Sequence, residues 1–151
     1  MLIATKSDKI DLSSEEKTQN LAIKFSKKLK LGDIVFLYGE IGVGKTTFIK
    51  YLINEFQKRN KLKITEITSP TFNLLNEYQI GKIKLNHYDL FRLKSPNEAE
   101  NLNIFDNKLN VITLIEWPQM IKKRPENLIE INLDYESDHQ RRSAKVKGIN
   151  L

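Results

Sequence analysis

Three features of this 151-residue chain predict an α/β fold with a mixed central sheet flanked by helices. The first is the order of events around residue 40. The apolar run Ile34-Val35-Phe36-Leu37-Tyr38 leads into the glycine-rich stretch Gly39-Glu40-Ile41-Gly42-Val43-Gly44-Lys45-Thr46, and Phe48, Tyr51, Leu52 and Phe56 follow at helical spacing, which is strand, loop and amphipathic helix in sequence. The second is Val111-Ile112-Thr113-Leu114-Ile115, nearly all apolar, as in a parallel strand buried on both faces. The third lies near the C-terminus, where Ile129, Ile131, Leu133 and Tyr135 alternate with Glu130, Asn132 and Asp134 before a polar turn and the run from Arg142 to Ile149. That pattern predicts a closing antiparallel hairpin.

The remaining elements follow from caps and breakers. Ser13-Ser14-Glu15-Glu16 reads as a capping box with Ser13 at the N-cap, and Leu21, Ala22, Phe25 and Leu29 carry a helix to Leu31, stopped by Gly32. The helix after the glycine-rich loop is expected to fray over Gln57-Lys58-Arg59-Asn60-Lys61. Ile64 to Ile67 precedes a break at Ser69-Pro70, and a strand is expected from Phe72 to Tyr78. Gln79-Ile80-Gly81-Lys82 makes a hairpin turn, because Gly81 takes positive φ without strain. Ile83, Leu85 and His87 alternate with Lys84 and Asn86 in a strand ending at Tyr88-Asp89. Ser95 and Pro96 then start a short helix as N-cap and first helical residue. No repeat, linker or composition shift divides the chain, so residues 1–151 are expected to form one P-loop NTPase-like domain.

Bulk composition narrows the chemistry. Cysteine is absent and the two histidines lie far apart, which excludes disulfides and thiolate chemistry and argues against a zinc site. No apolar stretch is long enough to span a bilayer, and Met1-Leu2-Ile3-Ala4-Thr5-Lys6 lacks the apolar segment of a secretory signal, so no membrane partner and a cytoplasmic location are expected. The net charge of +6 is spread among many Asn and Ile residues. The basic clusters at Lys27, Lys28 and Lys30, at Lys122-Lys123-Arg124 and at Arg141-Arg142 read as solvated patches, since no nucleic-acid-binding module accompanies them.

Gly39 to Thr46 has the Gly-x4-Gly-Lys-Thr spacing of a P-loop. Glycines let consecutive N–H groups of Gly39, Glu40, Ile41, Gly42, Val43, Gly44, Lys45, Thr46 and Thr47 turn towards phosphate, and the following helix offers its positive end. Lys45 reaches the β- and γ-phosphates, and Thr46 offers a hydroxyl to Mg²⁺. Turnover also needs acids for the hydrated metal and the attacking water. Glu116, ending the hydrophobic strand, and Asp89, ending the preceding one, are the candidates; which of them meets the metal directly is open.

Thr71, in Ser69-Pro70-Thr71-Phe72, is either a γ-phosphate-sensing hydroxyl or a turn residue bonding its own backbone. Arg92 steadies phosphate, binds a partner or simply sits on the surface, and Trp117 covers the site or a partner surface or packs in the interior. His87, on the apolar face of its strand, reads as a hydrogen-bonded structural residue rather than a base.

Four runs in this order, Gly39 to Phe48, Ser69-Pro70-Thr71-Phe72-Asn73-Leu74, His87-Tyr88-Asp89-Leu90-Phe91-Arg92-Leu93 and Ile115-Glu116-Trp117-Pro118, resemble the TsaE (YjeE) family of bacterial ATPases in tRNA threonylcarbamoyladenosine biosynthesis. The resemblance spans nearly the whole chain. It implies an ATP hydrolase, weak alone, that takes ATP and Mg²⁺ and works with the TsaD and TsaB proteins. TsaD modifies the adenosine at position 37 of tRNAs reading codons that begin with A, and hydrolysis by the TsaE partner resets the complex. Contact with tRNA would be indirect, and the free protein a monomer. On this resemblance Lys45, Asp89 and Glu116 are the catalytic residues, Thr46, Asp89 and Glu116 organise the metal, and Thr71 joins the nucleotide-binding residues in a responsive segment. The preference for ATP over GTP rests on the resemblance alone. Asn103 stands where the family commonly has Gly, and Asn tolerates positive φ better than most residues; Val43 is bulkier than the usual loop residue. Two other readings stay open: a small-molecule kinase, and a docking module that uses nucleotide as a switch without turnover.

Overall fold

The computed structural model describes residues 9–151; the N-terminal stretch from Met1 to Lys6, read above for a secretory segment, lies outside the described residues. Seven strands form a single sheet in the order β1-β7-β6-β2-β5-β4-β3. They are β1 (Ile10–Asp11), β2 (Ile34–Tyr38), β3 (Leu75–Ile80), β4 (Ile83–Asp89), β5 (Ile112–Glu116), β6 (Leu128–Tyr135) and β7 (Arg142–Lys147). The helices are α1 (Glu15–Lys28), α2 (Lys45–Arg59) and α3 (Pro96–Glu100). β6, β2, β5 and β4 run parallel, while β3, β7 and β1 add antiparallel pairs at the two margins. The mixed sheet and the closing β6–β7 hairpin are as the periodicity predicts. Among the described residues no helix is long and apolar enough to cross a membrane.

The two faces of the sheet are covered differently. Leu21, Ala22 and Phe25 of α1 and Phe48, Ile49, Leu52 and Phe56 of α2 pack with Val35, Leu37, Leu85, Leu114 and Ile131 on one face. Phe25 meets Phe48 edge-on, with ring centroids 5.2 Å apart, the geometry that aromatic quadrupoles favour. On the other face Ile34, Phe36, Tyr88 and Ile115 lie under Leu102, Ile104, Phe105, Trp117 and Ile121, a segment with little regular structure. This division follows from the period of two along each strand. It sends Leu85, His87 and Asp89 of β4 and Ile112, Leu114 and Glu116 of β5 towards the α2 side.

Four local expectations are corrected. Ser14, not Ser13, caps α1: its extended backbone lets the hydroxyl accept from Lys17 N at 3.2 Å, whereas Ser13 donates to Asp11 at 2.6 Å and accepts from Arg142 N at 3.1 Å. α1 ends at Lys28 rather than Leu31, because Lys30 and Asp33 close a turn through two bonds of 3.0 Å, Asp33 N to Lys30 O and Lys30 N to the Asp33 carboxylate. α2 does not fray from Gln57. That side chain is buried and exchanges hydrogen bonds with Thr65, while Lys61 turns the chain at positive φ. β3 starts at Leu75 rather than Phe72, since Leu74 N bonds Pro70 O at 2.7 Å and Leu74 itself has φ +69°, a turn no strand can include. Gly81 carries the β3–β4 turn at φ +60°, Ser95 caps α3, and Asn103 takes φ +52°, all as expected from residue type.

Ser14→Ala should lower stability by about 1 kcal/mol through loss of the cap. Phe48→Ala, at a fully buried site, should lower it by about 3–5 kcal/mol. Urea denaturation followed by circular dichroism reads both.

Candidate functional site at the parallel strand ends

Parallel pairing brings three strand ends to one edge. Leu37 lies opposite Glu116, and Glu116 opposite Asp89, so the loop leaving β2 runs beside both carboxylates. Such an edge is where open α/β sheets hold ligands. The loop is shaped by positive-φ glycines at 39, 42 and 44. A β-carbon on Gly39 would stand 2.8 Å from Leu133 O and 2.7 Å from Val43 Cγ1, so β6 and the loop's own buried valine hold the backbone close. Val43 is thereby accommodated in the core rather than in the loop's mouth.

The start of α2 is electrostatically open to an anion. Gly44, the N-cap, has no side chain to satisfy the first N–H groups, and no acidic residue occupies the first turn. Unpaired N–H groups and the helix dipole both favour phosphate there. Lys45 follows. Its ammonium donates to Gly39 O and lies 3.4 Å from Glu40 O, and it stands 3.5 Å from the centre of the Trp117 ring. Burial pushes its pKa below the usual lysine value, opposed by the negative charges of Glu116 and Asp89.

Both acids arrive where the sequence placed them, and each is held by hydroxyls. Thr46 Oγ1 donates to the Glu116 carboxylate, at 3.0 Å from Oε1 and 3.1 Å from Oε2. His87 Nε2 stands 2.8 Å from Glu116 Oε2, and both side chains are sealed from solvent. Ser69 Oγ donates to Asp89 Oδ2 at 2.8 Å, Thr71 Oγ1 lies 3.4 Å from the same oxygen, and Phe91 N donates to Asp89 Oδ1 at 3.0 Å. Thr71 thus turns to Asp89 and Ser69 rather than to its own backbone. Ser69 was missed as a site residue. Its only sequence signal was membership of the Ser69-Pro70-Thr71 break, because a lone Ser before Pro reads as turn chemistry.

A cavity of about 340 Å³ gathers these groups. Ile41, Gly42, Gly44, Lys45, Thr46 and Thr47 line one side, and Ser69, Thr71, Asp89, Phe91, Glu116 and Trp117 the other. Of the predicted nucleotide-binding residues, Gly39, Glu40 and Val43 do not line it; Glu40 is exposed and Val43 buried. A second cavity, about 400 Å³ and lined by residues of the 96–106 and 120–123 segments, shares no residue with it and holds no comparable set of phosphate donors. Trp117, at positive φ, is partly buried against the Ile34, Phe36 and Ile115 cluster and also covers Lys45 and meets Phe91 at 4.9 Å. Arg92 does not reach the cavity. It donates from Nε to Thr71 O at 2.8 Å and from its terminal nitrogen to Phe72 O, tying down the 71–72 turn, which removes the arginine that a kinase reading would enlist on phosphate.

The family model for threonylcarbamoyl adenosine biosynthesis protein TsaE matches residues 12–144. The chain belongs to the TsaE family. A TsaE protein of Rickettsia bellii is 44% identical over 131 residues, covering 86% of this chain and 88% of the relative. One from Nostoc sp. is 38% identical over 148 residues, covering 94% and 86%. Among solved structures, YdiB of Bacillus subtilis superposes with a TM-score of 0.72 over 99% of this chain and 90% of that one, at 24% identity, a likeness of fold. The four runs quoted from the sequence all fall within the matched residues of this TsaE-family chain.

Gly39→Ala should destabilise the folded protein by about 1–3 kcal/mol from overpacking alone, because the clash is with a backbone carbonyl. Gly44→Ala meets its nearest neighbour at 3.6 Å and should lose less when thermal melts of the two variants are compared by circular dichroism.

Proposed function

We propose that the chain is an ATPase of tRNA threonylcarbamoyladenosine biosynthesis that binds Mg·ATP at the Gly39–Thr47 loop and acts through a TsaD–TsaB pair, with hydrolysis resetting that complex between rounds. One observation carries this reading: an uncapped helix start, a buried lysine and a Thr46–Glu116 contact converge at one sheet edge beside Asp89.

The residues fit magnesium as a guest of the nucleotide rather than of a protein cage. No group of three or more His, Cys, Asp or Glu side chains among the described residues could hold a metal ion alone, and Mg²⁺ in such sites takes few protein ligands besides phosphate and water. Thr46 would supply one oxygen, with Glu116 and Asp89 holding coordinated waters. Bound there, Mg²⁺ neutralises charge building on the phosphate oxygens.

The chain's own part is positioning. Backbone N–H groups of Gly42 and of Gly44 to Thr47 orient the phosphates, and Lys45 draws charge towards the γ end once it leaves the Gly39 carbonyl. Glu116 or Asp89 aligns the attacking water, and Trp117 with Phe91 limits the entry of others. Thr71 and Ser69, joined to Asp89, give the 69–73 segment a way to respond to the terminal phosphate. This work belongs in the cytoplasm, with contact to tRNA made through the partners and the free chain a monomer.

Calorimetric titration of Mg·ATP, alone and with the TsaD–TsaB pair, tests the reading. Lys45→Ala should weaken binding about 10- to 100-fold, the range for hydrogen bonds to a charged group, and block repeated tRNA modification. Glu116→Ala should keep the metal-free affinity for ATP and lose turnover together with much of the affinity that Mg²⁺ adds, whereas a static docking module would tolerate it. Absence of heat with wild-type protein in both settings overturns the proposal.

A further inference from the structure

His87 is buried completely in the α2 face of the sheet, and the reading above gives it no task. It sits two residues before Asp89 on the same face of β4, and the β4–β5 register sets His87 opposite Leu114 and Asp89 opposite Glu116. The imidazole therefore reaches diagonally to the Glu116 carboxylate, 2.8 Å away. Its other nitrogen, Nδ1, has no partner among the described residues. With the proton on Nε2 the ring donates to Glu116 and Nδ1 is a bare acceptor; with the proton on Nδ1 there would be a buried unpaired donor facing one way and two acceptors facing each other. The geometry selects the first tautomer.

That bond divides the carboxylate. Oε2 is shared by His87 and Thr46, while Oε1 meets Thr46 alone, and Glu116 lines the cavity. A carboxylate on a flexible glutamate has rotational freedom about its last bonds, and a single buried donor at one oxygen removes it.

We infer that His87 is a positioning residue which locks Glu116 so that Oε1 is the oxygen presented to the hydrated metal of the nucleotide. The inference rests on the Mg·ATP reading above. Its consequence is specific: His87 contributes to the affinity that magnesium adds, and not to the affinity of the triphosphate as such, because the phosphate donors belong to the loop and Lys45.

The test compares ATP affinity by calorimetry with Mg²⁺ and with chelator, for wild type and three variants. His87→Phe keeps bulk without a donor, His87→Met is an adaptable donorless filler, and His87→Gln retains a side-chain N–H donor; circular dichroism melts establish folding for each. Phe and Met should keep metal-free ATP affinity within about twofold and lose about tenfold or more of the gain that Mg²⁺ provides, the scale of one charged hydrogen bond, with kcat falling more than KM changes. Gln should restore most of that gain.

Wild type failing to bind ATP sinks the functional reading itself. Wild type binding while folded Phe or Met variants retain the full magnesium gain overturns the His87 assignment alone, as does equal loss in Gln and Phe. If the donorless variants do not fold, a folded Gln variant without the magnesium gain overturns it.

Discussion

Glu116 is almost completely buried, and a carboxylate in that position survives only with donors around it. Thr46 and His87 supply them from opposite sides, one from the first turn of α2 and one from β4. The three residues belong to three elements that are far apart in sequence, so the carboxylate acts as a tie between the phosphate-binding loop and the parallel strands. Where Glu116 goes, the loop's hydroxyl follows.

The tie exists because β2, β5 and β4 are adjacent and parallel. An antiparallel neighbour would put its C-terminal residue at the far edge. Parallel neighbours place Leu37, Glu116 and Asp89 in one row, and the loop begins two residues beyond that row. The antiparallel strands are confined to the margins, where β3 brings Leu74 O within 3.0 Å of Asp89 N and β6 with its hairpin presses on Gly39. Both margins thus set the position of site residues without contributing catalytic groups.

Around this centre the second acid is built by a different route. Asp89 takes its donors from Ser69, Thr71 and Phe91 N, a local arrangement held in place by Arg92 on the Thr71 and Phe72 carbonyls. Glu116 is thus anchored by rigid elements and Asp89 by a turn that has no regular structure. Phe72 stands 83% exposed at the tip of that turn. Trp117 borders the cavity over Lys45, with Phe91 against it.

What the sequence determined by itself was set by local chemistry: the glycine loop between an apolar strand and an amphipathic helix, the period of two in β4 and β6, the Ser95–Pro96 cap, the Gly81 turn, and acids at strand ends. These are legible because each depends on residues within a few positions of one another. Tertiary structure alone decided that Ser14 rather than Ser13 caps α1, since Ser13 is claimed by Asp11 and by Arg142, 129 positions away. It decided likewise that Thr46 and His87 share Glu116, that Ser69 serves Asp89, and that Trp117 lies over Lys45. Contacts of that kind follow from sheet register and strand order, and a single side chain's hydrogen-bonding capacity does not reveal which distant partner will fill it.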